Sequence, residues 1–105
     1  MSGNEDLHKL QLMEQSLQQF LIQKQNFQAQ LMEIDSALSE LEKTDAAYKI
    51  VGNIMVSSNK DDLKKDLESK KEVLNLRIKN LEKQEEKIKE NASKLQAEIM
   101  KNIKK

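Results

Sequence analysis

The sequence predicts a mainly α fold: an antiparallel two-helix coiled-coil hairpin with a short β-hairpin at the helix–helix connection. Three observations carry this. Two stretches repeat apolar residues in unbroken heptad register, and a β-branched segment centred on Gly52-Asn53 separates them at the midpoint of the chain. The composition offers little else to build from: of 105 residues, 34% are charged and 3% aromatic, with no proline and two glycines. Such a chain lacks the material of a globular core and has that of long helices. It reads as a single domain over residues 1–105, with one helix at 4–43, a β-hairpin at 46–58 and a second helix at 60–104.

The first helix follows from steps of three and four residues through Leu10, Met13, Leu17, Phe20, Lys24, Phe27, Leu31, Ile34, Leu38 and Leu41, nine of ten apolar. A repeat averaging 3.5 residues keeps one seam turned towards a partner helix, and disordered polar chains show no such register. Asn4 is the expected N-cap, with Glu5 and Asp6 placed against the positive end of the helix dipole.

The connection AAYKIVGNIMVSS, residues 46–58, crowds β-branched residues around a glycine able to supply the positive φ of a two-residue turn. Pairing Val51 with Ile54 sets Ile50 against Met55, Lys49 against Val56 and Tyr48 against Ser57. One face then carries Val51, Ile54 and Val56, the other Tyr48, Ile50 and Met55. A lone two-stranded hairpin is marginal in water, and this one has apolar residues on both faces and two open edges. It calls for strands from other chains.

The second helix has the seam Leu67, Lys71, Leu74, Ile78, Leu81, Glu85, Ile88, Ala92, Leu95 and Ile99, eight of ten apolar. Asn59 is its expected N-cap, Asp61 and Asp62 follow in the first turn, and Lys101, Lys104 and Lys105 suit the negative end of the dipole. Folding back about the turn pairs Leu10 with Leu95 and brings both termini to the far tip. Lys24 and Glu85, the mid-seam charges, then fall about four residues out of register. A direct salt bridge is within reach at that offset but is not implied; the favoured expectation is that both reach out to water and loosen the seam.

Catalysis finds no footing. His8 stands in the first turns of the first helix without a cysteine to join it, Gly3 and Gly52 are too far apart to cradle a phosphate, and the carboxylates alternate with lysines as helix-surface pairs. The reading is therefore not an enzyme, with no metal and no cofactor. A formal net charge of zero gives no field for nucleic acid or anionic lipid. An RNA-binding helical arm would want a basic stripe and stacking aromatics, whereas Phe20, Phe27 and Tyr48 fall on the seam or in the strand. No apolar run spans a bilayer and the start lacks a signal-peptide pattern, so a cytoplasmic protein is expected, with no membrane partner.

The tip carries an apolar excess. Leu7, Leu12, Leu21 and Ile22 lie off the first seam and Met100 and Ile103 off the second, while Asp6 and Asn102 interrupt the seams at their ends. Such an end closes a two-stranded coil poorly and offers adaptable apolar surface to another protein, or is covered by a neighbouring subunit. The eight glutamines between Gln11 and Gln30 keep the first helix polar with few charges, which suits a helix indifferent to the charge of what it meets.

YKIVGNIMV (Tyr48 to Val56) between two long heptad helices resembles the β class of prefoldin subunits, in its archaeal form. QKQ (Gln23 to Gln25), ALSELEK (Ala37 to Lys43) and LEKQEEKIKENASKLQAEI (Leu81 to Ile99) are similar to that family's flanking segments, and the resemblance spans residues 10–100. One hairpin rather than two fits the β class. The resemblance implies a hexamer of two α-type and four β-type subunits joined by β-barrels. It implies ATP-independent capture of unfolded polypeptide clients at the coiled-coil tips, and their delivery to a group II chaperonin. Carried onto this sequence, Tyr48, Ile50, Val51, Gly52, Ile54, Met55 and Val56 are the oligomerisation hairpin. Leu7, Leu10, Leu12, Met13, Leu95, Ile99, Met100 and Ile103 are the client-binding tip. The rival is a structural coiled-coil protein whose hairpins, with two open edges, build a filament or ring.

Overall fold

The computed structural model describes residues 2–103, with side chains from residue 4 onward. The element order is α1 (Ser2–Glu42), β1 (Ala47–Val51), β2 (Ile54–Ser58) and α2 (Lys60–Ile103). This is the two-helix architecture with a β-hairpin between the helices. The helix boundaries differ from expectation at the start of the chain. α1 begins at Ser2, so Asn4 lies inside the helix and is not its N-cap; Glu5 remains in the first turn. Lys104 and Lys105 lie outside the described residues, leaving Lys101 as the described cation of the last turn of α2.

The start of α2 is capped as expected. Asn59 Oδ1 accepts from the backbone N–H of Asp61 at 2.9 Å and of Asp62 at 3.4 Å, and the Asn59 carbonyl accepts from Leu63 N at 2.9 Å. These bonds satisfy donors that the first helical turn leaves without partners. At the other end of the connection, Lys43 N donates to the Glu40 carbonyl at 3.1 Å, the shorter ring of a tightening last turn. The Thr44 hydroxyl donates to the Ala46 carbonyl at 3.1 Å and accepts from Ala46 N at 3.3 Å, bending the chain into β1.

β1 and β2 pair antiparallel with Val51 opposite Ile54, Ile50 opposite Met55, Lys49 opposite Val56, Tyr48 opposite Ser57 and Ala47 opposite Ser58. Gly52 has φ +62°, and no other described residue has positive φ. One positive φ at the first central position is the pattern of a type II′ turn, whose twist matches the flanking strands.

The described chain forms two compact units. One comprises Asn26–Arg77: the later part of α1, the hairpin and the first part of α2. Here Phe27 meets Arg77 and Asp35 meets Lys71, so the helices run antiparallel. Leu41, Ala47 and Leu74 are its buried apolar residues. Ala47, at the start of β1, is the one buried residue of the two strands and was not singled out in the sequence.

The other unit comprises Met1–Gln25 with Ile78–Lys105. Ile78 and Leu81 form its buried apolar core, and Glu85 is buried beside them. Its helices are again antiparallel, since Lys24 meets Glu85 while Leu7 shares a groove with Ile99 and Ile103. In both units the heptad seams are legible in the burial. Every seam position from Leu10 to Leu41 and from Leu67 to Ile99 is buried or half-buried, and the positions between them are almost all exposed.

Candidate functional site

The seam charges are not loose. Lys24 Nζ lies 2.7 Å from Glu85 Oε1 and both side chains are largely covered, which corrects the expectation that they reach separately to water. The fold-back partner of Lys24 is Leu81, and Glu85 stands one turn beyond it, about 6 Å along the axis. That is within the span of an extended lysine. The hydrogen bond to Glu85, partly opposed by burial, raises the pKa of Lys24 above its ordinary value. Lys71, the other seam lysine, is also paired, 2.8 Å from Asp35 Oδ1. Lys24, Lys71 and Glu85, the charged side chains between the ends of the seams, therefore each have an opposite charge on the facing helix.

The hairpin presents both faces. Tyr48, Ile50, Val51, Ile54, Met55 and Val56 are all exposed, Ile50 at 70%. Tyr48 and Met55 form one wall of an open groove whose remainder includes Ala37, Leu41, Ala47, Leu63 and Leu67. Both strand edges of the two-stranded sheet are unpaired beyond the hairpin itself. Six exposed apolar side chains and unpaired backbone edges thus coincide on a two-stranded sheet of ten residues, an arrangement open to strand addition.

The eight tip residues sort into two kinds. Leu10, Met13, Leu95 and Ile99 are half-buried seam residues that hold the helices together. Leu7, Leu12, Met100 and Ile103 are exposed, Ile103 at 73%, and Leu21 and Ile22 extend the exposed set along α1. Leu7, Ile99 and Ile103 line an open groove with Asn4, Asp6 and Asn102. The two polar interruptions of the seam, Asp6 and Asn102, stand where the helices leave that groove open. Three exposed apolar residues escaped the sequence reading: Met32, Val73 and Leu76 in the hairpin-bearing unit. Stepping off the seam from Ile34 and Leu74 would have found them.

No group of His, Cys, Asp and Glu among the described residues is arranged to hold a metal ion. No described helix is long and apolar enough to cross a membrane.

The prefoldin subunit family model matches residues 4–105. The chain belongs to the prefoldin family. It is 40% identical over 94 residues to the prefoldin subunit beta of Archaeoglobus fulgidus, covering 87% of this chain and 81% of that protein. It is 41% identical over 90 residues to the prefoldin subunit beta of Pyrobaculum calidifontis, covering 83% and 72%. The crystal structure of the prefoldin beta subunit from Thermococcus strain KS-1 superimposes with a TM-score of 0.90 at 35% identity, covering 96% of this chain and 91% of that one. The relatives and the fold are of the prefoldin beta type, so the chain is a chaperone subunit that assembles with other prefoldin subunits.

Proposed function

We propose that this prefoldin subunit captures unfolded polypeptides on apolar residues at its helix ends, without ATP, and passes them to a group II chaperonin. The observation that carries this reading is the exposure of Leu7, Leu12, Met100 and Ile103, with Leu7 and Ile103 lining an open groove, in a chain with so few apolar residues to spare. Isolated aliphatic and methionine side chains on helices give a compliant surface that accepts many sequences weakly, as a holding chaperone requires. Nothing in the groove suits a nucleotide, and its polar members are uncharged apart from Asp6.

Assembly in this reading runs through Tyr48, Ile50, Val51, Ile54, Met55 and Val56, with Gly52 turning the chain. Strands of other subunits add to the two open edges, closing a barrel in which no edge remains. The partners are an α-type prefoldin subunit and further β subunits, in a hexamer of two α and four β, acting in the cytoplasm. Several weak tips on one assembly then bind one client together, which raises avidity without raising the strength of any single contact.

The test mixes the chain with an α-type prefoldin subunit, takes the mass by multi-angle light scattering, and follows aggregation of a chemically unfolded client by turbidity. A discrete hexamer that suppresses aggregation at near-stoichiometric ratio without ATP supports the reading. Growth of the purified chain into filaments, or a stable assembly with no suppression, turns it to the structural alternative.

A further inference from the structure

We propose that the charged pair Lys24–Glu85, with Lys71–Asp35 nearer the hairpin, makes α1 and α2 of one chain reject parallel pairing with the like helices of neighbouring copies. The inference rests on the reading that hairpins gather several copies into one assembly. Gathering raises the local concentration of helices whose seams are nearly interchangeable: Leu, Ile, Met and Phe at the same 3.5-residue spacing. Apolar seams alone would let α1 of one copy zip onto α1 of the next.

The charges forbid it. Residues at equivalent seam positions face each other in a parallel, in-register coil of two like helices. Two α1 helices would then set Lys24 against Lys24, and two α2 helices would set Lys71 against Lys71 and Glu85 against Glu85. Any other register of parallel like helices would cover one of these charges without a partner. Only α1 against α2, antiparallel, brings Lys24 to Glu85 at 2.7 Å and Asp35 to Lys71 at 2.8 Å. Sliding by one heptad would oppose Lys24 to an apolar seam residue such as Ile78 or Ala92, so register is selected as well. A single polar residue in a seam is known to set pairing at a cost in stability, and here two do so in complementary form.

The test exploits the absence of cysteine. With Leu17→Cys added on the α1 seam, every disulfide formed is between copies, and a parallel α1–α1 coil brings the two sulfurs together. The full chain is assembled with its α-type partner, its mass measured, and the disulfide-linked dimer quantified under mild oxidation in three backgrounds. The unaltered pair gives little dimer. Lys24→Leu with Glu85→Leu gives roughly tenfold more, because the like-helix coil now buries only apolar residues. Lys24→Glu with Glu85→Lys stays low, because attraction between unlike helices and repulsion between like ones are both preserved. Equal dimer in all three backgrounds, in assemblies of native mass, overturns this inference alone. Failure of the unaltered chain to assemble overturns it together with the proposed function.

Discussion

Arg77 holds its guanidinium carbon 5.8 Å from the centre of the Phe27 ring, α2 reaching across to α1. Phe27 is a half-buried seam residue and Arg77 is exposed next to the seam, so the cation lies over a ring that packing already holds. The contact ties the apolar seam to its polar margin at a position where no carboxylate among the described residues pairs with the arginine. Arg77→Met, which keeps the apolar stem and removes the cation, should lower stability by about 0.5–1 kcal/mol in urea unfolding. Arg77→Met in a Phe27→Leu background should cost nothing further, since the ring is gone.

The Lys24–Glu85 pair predicts a stability effect with a defined pH range. Lys24→Met leaves a covered carboxylate without its ammonium and should cost about 1–3 kcal/mol, between an exposed pair and a fully buried one. The pKa of Lys24 is raised in the folded chain, from an ordinary value of 10.5, chiefly by the hydrogen bond it donates to Glu85. Its contribution is therefore fully present below the unfolded value and is lost as pH rises through the folded one. The gap in melting temperature between the native chain and Lys24→Met should be constant from about pH 6 to about pH 9 and narrow only in stronger alkali. Narrowing near neutrality would contradict the assignment.

Gly52 bears the turn through backbone conformation alone. Its φ is +62°, and a Cβ built there meets nothing within 4 Å, so substitution brings strain without a clash. Gly52→Ala should cost about 1 kcal/mol and Gly52→Asn less, since asparagine tolerates this region better. Asn59→Ala removes the cap of α2 and should cost about 1 kcal/mol by loss of the one side-chain oxygen that accepts from two N–H groups. Helicity followed by circular dichroism through a thermal scan reads both.

Much of this was legible in the residues because two periods suffice to write it. The 3.5-residue spacing marks each side chain of both seams, and the alternation about Gly52 sets the strand register down to Val51 opposite Ile54. What escaped depends on side-chain length and on termini. Lys24 and Glu85 are a turn apart in the simple fold-back, and only the reach of the two side chains joins them. Lys71 and Asp35 escaped likewise, because Asp35 lies off the seam. The start of α1 escaped because helix ends depend on a few weak capping contacts, and Asn4 resembles a cap without being one. At the tip, spacing singled out the apolar surplus, while the division between the half-buried Leu10 and Ile99 and the exposed Leu7 and Ile103 needed the packed helices.

The hairpin predicts an assembly that charge disperses. Val51 and Ile54 face each other across the turn on one exposed face, and both stand more than half exposed in the single chain. Val51→Asp with Ile54→Asp sets two carboxylates directly opposite and charges any interface built on that face. Sedimentation should show loss of the assembly to free subunits with helicity nearly intact. Native mass would mean that the hairpin is not the assembly element.

The same reasoning separates the tip from the seam. Leu10→Glu or Ile99→Glu strikes residues that hold the helices together, so lost activity there would not isolate client binding. Leu7→Glu, Leu12→Glu, Met100→Glu and Ile103→Glu alter exposed positions only.

The measurement that bears most directly on the central claim compares the native chain with that fourfold variant. Each is assembled with the α-type partner to equal mass and tested for suppression of client aggregation without ATP. The account predicts equal mass and helicity with suppression nearly abolished in the variant. Suppression unchanged at equal mass would contradict it and would place client capture elsewhere on the molecule.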